Sequence, residues 1–418
     1  MRYSDDGFGN AKRVAYMTEL RRSLSLPLVV LYGLGVTIGA GIYVLLGATA
    51  GRAGMYAPVS FVLAAIVMGF SAASFAEMSA RFPVSAGEAA YVRAGLKSNA
   101  LSTAVGFLVI ASGVVSSSAI SVGATGYIRE FVDVPVPVLV VAIVAVLGII
   151  AAWGIMQSVL FASLFTIFEA GALAAIVGVG IYADPGLLGE LPRVIPPPGD
   201  LAAWAGVSSA GLLAFFAFIG FEDIVNLAEE VKEPERTLPW AIFLTLALGT
   251  AFYFAVTAVA ILSVPLDELA ASAAPLSFVF SHITGASPVI ITLIAIVATL
   301  NGVIIQIIMA SRVLYGLAKQ GSIPALFAKI DRRTRTPLIA TGAVTTIVLL
   351  LALTAPLEDL AEWTARIVLV IFTLVNLSLF VIKRRGTPPP DGAFKVALWV
   401  PVGGFVTCVG LLVSDLVG

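Results

Sequence analysis

The sequence predicts an all-α polytopic membrane protein of about eleven transmembrane helices. Three observations predict it. The chain is 59% hydrophobic and only 12% charged, against about 25% charged in soluble domains. Apolar runs near the roughly 20 residues that cross a bilayer recur from Pro27 to the C-terminus. The lysines and arginines between those runs fall almost entirely on alternate connections.

In chain order, a polar tail over 1–26 carries Arg2, Lys12, Arg13, Arg21 and Arg22 and has no apolar core of a signal peptide. Spans follow near 27–50, 58–80, 100–128, 134–153, 158–182, 206–230, 238–263, 288–318, 337–355, 365–383 and 396–417. With the N-terminus cytoplasmic, every Lys and Arg except Arg52, Arg129, Arg193 and Arg366 lies inside, which the positive-inside rule requires. That arrangement puts the C-terminus outside, in a multi-pass protein of the plasma membrane. The longest connections are 183–205 and 264–287, both external. The first, with "PRVIPPPGD", is too proline-rich for a helix; the second mixes short amphipathic stretches with Pro265, Pro275 and Pro288.

Several function classes drop out. A net charge of −1 suggests no nucleic-acid partner. The only cysteine, Cys408, lies in the last apolar run, so no intrachain disulfide forms and no disulfide-linked subunit is expected. No Walker A loop, metal-ligand cluster or Cys/His dyad is present, and the glycine-rich stretch follows no strand. No enzyme, metal or cofactor is expected.

The stretch "GVTIGAGIYVLLG" places Gly35, Gly39, Gly41 and Gly47 inside the first span, although glycine costs about 1 kcal/mol relative to alanine in a helix interior. The sixth span carries a second interruption in "AFFAFIGFEDIVNLAEE", where Gly220 lies 181 residues after Gly39. Two broken helices at matching positions of two halves point to a transporter site, because irregular backbone at membrane depth survives only beside a cavity or inside protein. An unwound first span frees the amides of Gly39, Ala40, Gly41 and Ile42 for an anion. The carbonyls of Thr37 and near Ile219 suit a cation. A carboxylate and an ammonium side by side describe the backbone of an α-amino acid. The competing reading is close helix packing through small residues.

"GVTIGAGIYVLLG", "FAEMSARFPVSAGEAAYV", "FFAFIGFEDIVNLAEEVKEPERTLPWAI" and "MASRVLYGLAKQGSIP" together resemble the amino acid–polyamine–organocation superfamily, in its cationic-amino-acid-transporter-like branch. The resemblance covers nearly the whole chain in order. It implies the five-plus-five inverted-repeat fold of the leucine-transporter type, with helices 1 and 6 discontinuous. The repeats are then 27–182 and 206–383, separated by the external loop 183–205 and followed by an additional helix within 384–418. It implies a substrate carboxylate on the amides of Ala40, Gly41 and Ile42, within the stretch Thr37, Ile38, Gly39, Ala40, Gly41, Ile42. The ammonium is then expected on the carbonyls of Thr37, Phe216 and Ile219, with Phe216 where arginine/agmatine antiporters have an aromatic gate.

Charges at membrane depth are costly and usually functional. Glu169 stands mid-way along the fifth span with no basic residue near it in sequence, a candidate proton carrier. A proton-coupled relative has a lysine at what looks like the equivalent place. Glu222 follows the second break, where the antiporters carry a proton-sensitive glutamate. Asp223 reads as a helix cap, and Glu77 as a structural ion-pair partner. Sodium coupling is disfavoured by Leu300 and Asn301 at the place of a hydroxyl pair, although Thr299 is adjacent. His282 is not a relay candidate. Ser112, Ser116 and Ser117 on the third span suit a pocket for neutral substrates, while the family branch argues for cationic ones.

The sequence therefore predicts a secondary transporter of α-amino acids, coupled to protons or working as an exchanger. The alternatives are a transporter-like amino acid sensor, a sodium-coupled symporter and a channel.

Overall fold

The computed structural model describes residues 22–39, 41–83, 87–153, 159–390 and 392–417. The expected N-terminal tail lies almost wholly outside the described residues. Among those described, no β-ladder forms; an isolated parallel bridge joins Leu24 to Val231.

The helices are α1 Leu26–Ile38, α2 Gly41–Ala53, α3 Ala57–Arg81, α4 Gly87–Leu96, α5 Asn99–Arg129, α6 Val136–Trp153, α7 Val159–Ala183 and α8 Leu187–Glu190. They continue as α9 Leu201–Ser209, α10 Gly211–Phe216, α11 Pro234–Ser263, α12 Leu266–Ala271, α13 Pro275–Thr284, α14 Val289–Lys319, α15 Leu338–Thr354, α16 Leu357–Arg384 and α17 Trp399–Val417. Among the described residues, seven stretches are long and apolar enough to cross a membrane, or eight with the pair Leu201–Ser209 and Gly211–Leu227, which bends by 41°. Leu26–Ile38, Leu338–Thr354 and Trp399–Ser414 are shorter apolar helices.

Local chemistry explains where these elements begin. Pro27, Pro58 and Pro234 sit in the first turns of α1, α3 and α11, where the missing N–H costs nothing. Ser98 and Asp200 cap α5 and α9 by accepting from the amides of Leu101 and Ala203.

Three expected boundaries move. The span expected at 365–383 begins at Leu357, because Glu358 and Asp359 in the first turn suit the helix N-terminus while lowering its hydropathy. The connection 183–205 is not free of helix: α8, the 3₁₀ turn Leu191–Val194 and the start of α9 fall within it, with Pro192 in the first turn of the 3₁₀ segment. The sixth span is interrupted earlier than expected as well, bending between α9 and α10 at Ala210.

Within the bundle, α5 runs along α14, α3 along α11, and α1 is packed by both α7 and α11. An aromatic cluster anchors the second break: Phe372 of α16 meets Phe75, Phe221 and Phe215 at centroid distances of 5.0, 5.5 and 6.0 Å. These edge-to-face contacts are the preferred geometry for rings.

Glu77 is structural, as expected, and its partners are two. Its carboxylate lies 2.7 Å from the Arg81 guanidinium and 2.7 Å from Lys383 Nζ, with the Glu77 side chain fully buried. It also accepts the Val396 amide at 2.7 Å, while Lys383 Nζ donates to the Val396 carbonyl at 2.6 Å. This knot fastens the segment before α17 to α3 and α16.

Candidate functional site

Both expected breaks are present. The Gly39 amide donates to the Gly35 carbonyl at 3.1 Å, closing α1, and α2 opens at Gly41. The expected anion ligand Ala40 lies between them, outside the described residues. The amides of Gly41 and Ile42 belong to the first turn of α2, which has no intrahelical partners for them. In the second half, α10 ends at Phe216, tight turns follow (Phe218 N to Phe215 O and Ile219 N to Phe216 O, each 3.0 Å), and the chain resumes as a 3₁₀ segment over Phe221–Leu227. The chain after the break is thus wound more tightly than an α-helix. Gly220 has φ of +124°, a conformation open to glycine and closed to most side chains.

The two breaks touch each other crosswise. A Cβ on Gly41 would collide with the backbone and side chain of Ala217, and one on Gly220 would meet the Val36 side chain at 2.6 Å. Gly35 abuts the Thr166 hydroxyl, and a Cβ on Gly47 would come 2.8 Å from the Leu269 carbonyl. Close packing and unwinding are therefore both true of this glycine stretch. Tyr253 of α11 spans the pair: its hydroxyl lies 2.7 Å from the Thr37 carbonyl and 2.7 Å from the Ala217 carbonyl. The Thr37 side-chain hydroxyl is buried and finds no hydrogen-bond partner among the described residues.

Two small cavities open beside the breaks. One is lined by Val36, Gly41, Ser116, Phe216, Ile219 and Gln306 among others. Its neighbour shares Ser116, Ile219 and Gln306 and adds Ser112, Glu88, Glu222 and Asp223. Each measures about 20 Å³, enough for roughly one water and far below an amino acid. The enclosing helices must move before a substrate fits.

Four buried carboxyls surround this region. Glu222 turns back to accept the Gly220 amide at 2.8 Å, so it fastens the break itself. Asp223 is not the helix cap that the sequence suggested: the residue at that position of the 3₁₀ segment is Gly220, and Asp223 Oδ2 has no hydrogen-bond partner among the described residues. Glu88 joins them from α4. Glu169 stands apart, on α7 beside the end of α1; among the described residues neither of its carboxyl oxygens has a hydrogen-bond partner. Its backbone carbonyl accepts from the Tyr43 hydroxyl at 3.1 Å. The point a Gly39 Cβ would occupy has three oxygens around it: Gly35 O at 2.7 Å, Ala298 O at 3.3 Å and Glu169 Oε2 at 3.7 Å.

Thr37, Gly41, Phe216, Ile219, Ser112, Ser116 and Glu222 are thus gathered at the two breaks. Ile38 and Ile42 are fully buried in the apolar core, and their side chains line neither cavity. Ser117 also lines neither, its hydroxyl donating to the Gly113 carbonyl at 2.7 Å. Thr299 turns its hydroxyl onto the carbonyls of Ala295 and Ile296 in its own helix. Sequence reasoning passed over Tyr253, Gln306 and Glu88. Gln306, an amide inside an apolar run, was the most legible of these; Tyr253 resembles any buried aromatic until its carbonyl partners are known.

A family model described as amino acid permease matches residues 24–414. The branched-chain amino acid permease BcaP of Bacillus subtilis (strain 168) is 28% identical over 441 residues, covering 96% of this chain and 92% of that protein. A vacuolar cationic amino acid transporter of Arabidopsis thaliana is 29% identical over 399 residues; the match covers 89% of this chain and 61% of the longer plant protein. An uncharacterised transporter of Mycobacterium tuberculosis (strain ATCC 25618 / H37Rv) is 33% identical over 400 residues, covering 94% and 86%. Among solved structures, a Na⁺-coupled sialic acid symporter aligns with a TM-score of 0.58 at 12% identity, covering 92% of this chain and 89% of its own. A manganese transporter of Eremococcus coleocola aligns at 0.62 and 13%, covering 94% and 85%. At these identities the likeness concerns the fold, that of leucine-transporter-type carriers.

Proposed function

Because the chain belongs to the amino acid permease family, we propose that it is a secondary active transporter of α-amino acids working by alternating access in the plasma membrane. The supporting observation is the crosswise contact of the two breaks beside cavities too small for any substrate. The substrate carboxylate takes the amides of Ala40, Gly41 and Ile42. Its ammonium takes the carbonyls of Thr37, Phe216 and Ile219. Thr37 O and Phe216 O already accept one hydrogen bond each, and a carbonyl has a second lone pair for the substrate. In this reading 27–182 and 206–383 are inverted repeats, the spans number eleven, and the N-terminus is cytoplasmic.

Proton coupling rests on Glu169, whose carboxyl has no hydrogen-bond partner among the described residues, with Glu222 as second candidate. Sodium coupling is the second reading, favoured by the three oxygens that converge beside Gly39, since hard cations prefer oxygen ligands.

Proteoliposomes test this. A binding screen of the twenty amino acids identifies the substrate, whose amide must bind far more weakly than the acid if the carboxylate site is right. Glu169→Gln is expected to keep equal-pH exchange and lose pH-driven accumulation. Full pH-driven uptake in that variant transfers the role to Glu222, tested by Glu222→Gln. Uptake that requires sodium instead of a pH gradient selects the second reading. Binding without flux in either direction makes the protein a sensor.

A further inference from the structure

A larger cavity lies away from the breaks, between the start of α11 and the segment before α17. It measures about 410 Å³ and is walled by Pro239, Trp240, Phe243 and Phe394, with Glu235 and Arg236 at the end formed by the first turn of α11. That volume falls within the range of about 300–1,000 Å³ typical of small-molecule sites. Nothing in the transport reading uses it.

Its walls are held in place. The Phe394 ring meets Phe243 edge-on at 5.5 Å. Two residues on, the amide and carbonyl of Val396 are tied to Glu77 and Lys383. The slot is built into the fold.

Its chemistry has two ends. The aromatic walls are apolar, and Trp240 is 62% exposed, as suits a tryptophan at a membrane interface. Arg236 precedes Trp240 by four residues, on the same face of α11. Arg236 makes no ion pair among the described residues. The segment that walls the slot also carries basic neighbours: Lys383 reaches the Val396 carbonyl, Arg81 reaches the Thr387 carbonyl, and Lys395 is next to Phe394 in sequence. Glu235, next to Arg236 in the first turn of α11, also lines the slot. Pro239 also supplies no N–H for the Glu235 carbonyl four residues back. Glu235 therefore offers acceptors where Arg236 offers donors.

We propose that this slot binds one anionic phospholipid whose headgroup carries hydroxyls, of the phosphatidylglycerol type. An acyl chain lies against Trp240, Phe243 and Phe394. The phosphodiester takes the planar donor fork of Arg236, and the headgroup hydroxyls donate to Glu235. The Glu235 carboxylate repels a bare phosphate, so free phosphate and phosphatidic acid bind less well.

Native mass spectrometry of the full chain in neutral detergent tests this, with phosphatidylglycerol, phosphatidylcholine, phosphatidic acid and inorganic phosphate as probes. The wild type is expected to retain one phosphatidylglycerol in preference to the others. Arg236→Gln is expected to weaken that binding roughly tenfold, the scale of one charge-assisted contact. Arg384→Gln, a basic residue outside the slot, should leave it unchanged. Equal retention of phosphatidylcholine, an Arg384→Gln loss as large as that of Arg236→Gln, or displacement of the lipid by inorganic phosphate each overturns the proposal. Should Arg236→Gln not fold, the wild-type competition between phosphatidylglycerol and phosphatidylcholine decides alone.

Discussion

The Tyr253 hydroxyl reaches the Thr37 carbonyl across 2.7 Å, and the Ala217 carbonyl lies at the same distance from it. One proton serves two acceptors, so at any instant one carbonyl is left to other partners. The hydroxyl thus ties the end of α1 to the end of α10, each beside its break. Tyr253→Phe keeps the ring contacts with Phe218 and Phe61, at 4.9 and 5.5 Å. We expect the variant to fold with a loss of about 1–3 kcal/mol, the cost of a buried polar group left unpaired. Thermal unfolding in detergent measures it; an unchanged midpoint would mean the tie carries no energy.

Gly41 faces the Ala217 backbone so closely that even a methyl group has no room. Gly41→Ala is therefore expected to abolish uptake and to destabilise by about 1–3 kcal/mol through overpacking. Gly171, which has nothing within 4 Å of its Cβ position, is the control. Gly171→Ala should leave both readouts within error, and matching losses in the two variants would refute the argument.

The Glu77 knot makes an asymmetric claim. Glu77→Gln strands the buried Arg81 and Lys383 charges together, which is expected to cost about 3–5 kcal/mol. Lys383→Met leaves Glu77 paired with Arg81 and should cost less. Thermal midpoints of the two variants, compared side by side, check the order; the reverse order would be inconsistent with the knot.

At the opposite end, Arg52 of α2 pairs with Glu358 and Glu362 of α16, and Arg366 pairs with Glu362. The Arg52 side chain is 30% exposed, so salt screens it and each pair is worth about 0.2–1 kcal/mol. Arg52→Gln is expected to lower stability by no more than about 1 kcal/mol, and the difference from wild type should shrink in high salt. A larger, salt-insensitive loss would show that Arg52 acts by packing.

The eleven-span reading places the two termini on opposite faces. Tags before Met1 and after Gly418 are expected to be protected and accessible, respectively, to protease added to intact cells. Both tags on one face would contradict that count.

Composition alone determined the solvent, because a chain that is 59% hydrophobic and 12% charged has no stable fold in water with its runs exposed. Gly39, Gly41 and the "IGFED" interruption likewise marked both breaks, whereas Gly35 and Gly47 sit in regular helix where close packing requires them. Glu77's role was legible because Arg81 follows it by one helical turn; its second partner, Lys383, is 306 positions away in sequence and was not.

Only the tertiary structure decided what the breaks face. Asp223 looked like a cap, but capping depends on the direction of the chain leaving Gly220, and the positive φ there turned Glu222 onto the amide in its place. Ile38 and Ile42 lie beside the break in sequence yet turn their side chains into the core, because which way a residue points is set by the rotation of each half-helix. Tyr253 and Gln306 joined the site through the packing of α11 and α14 on the broken spans, a relationship that local periodicity does not encode. The sequence determined where the backbone is irregular; the packing of distant helices determined which groups meet there.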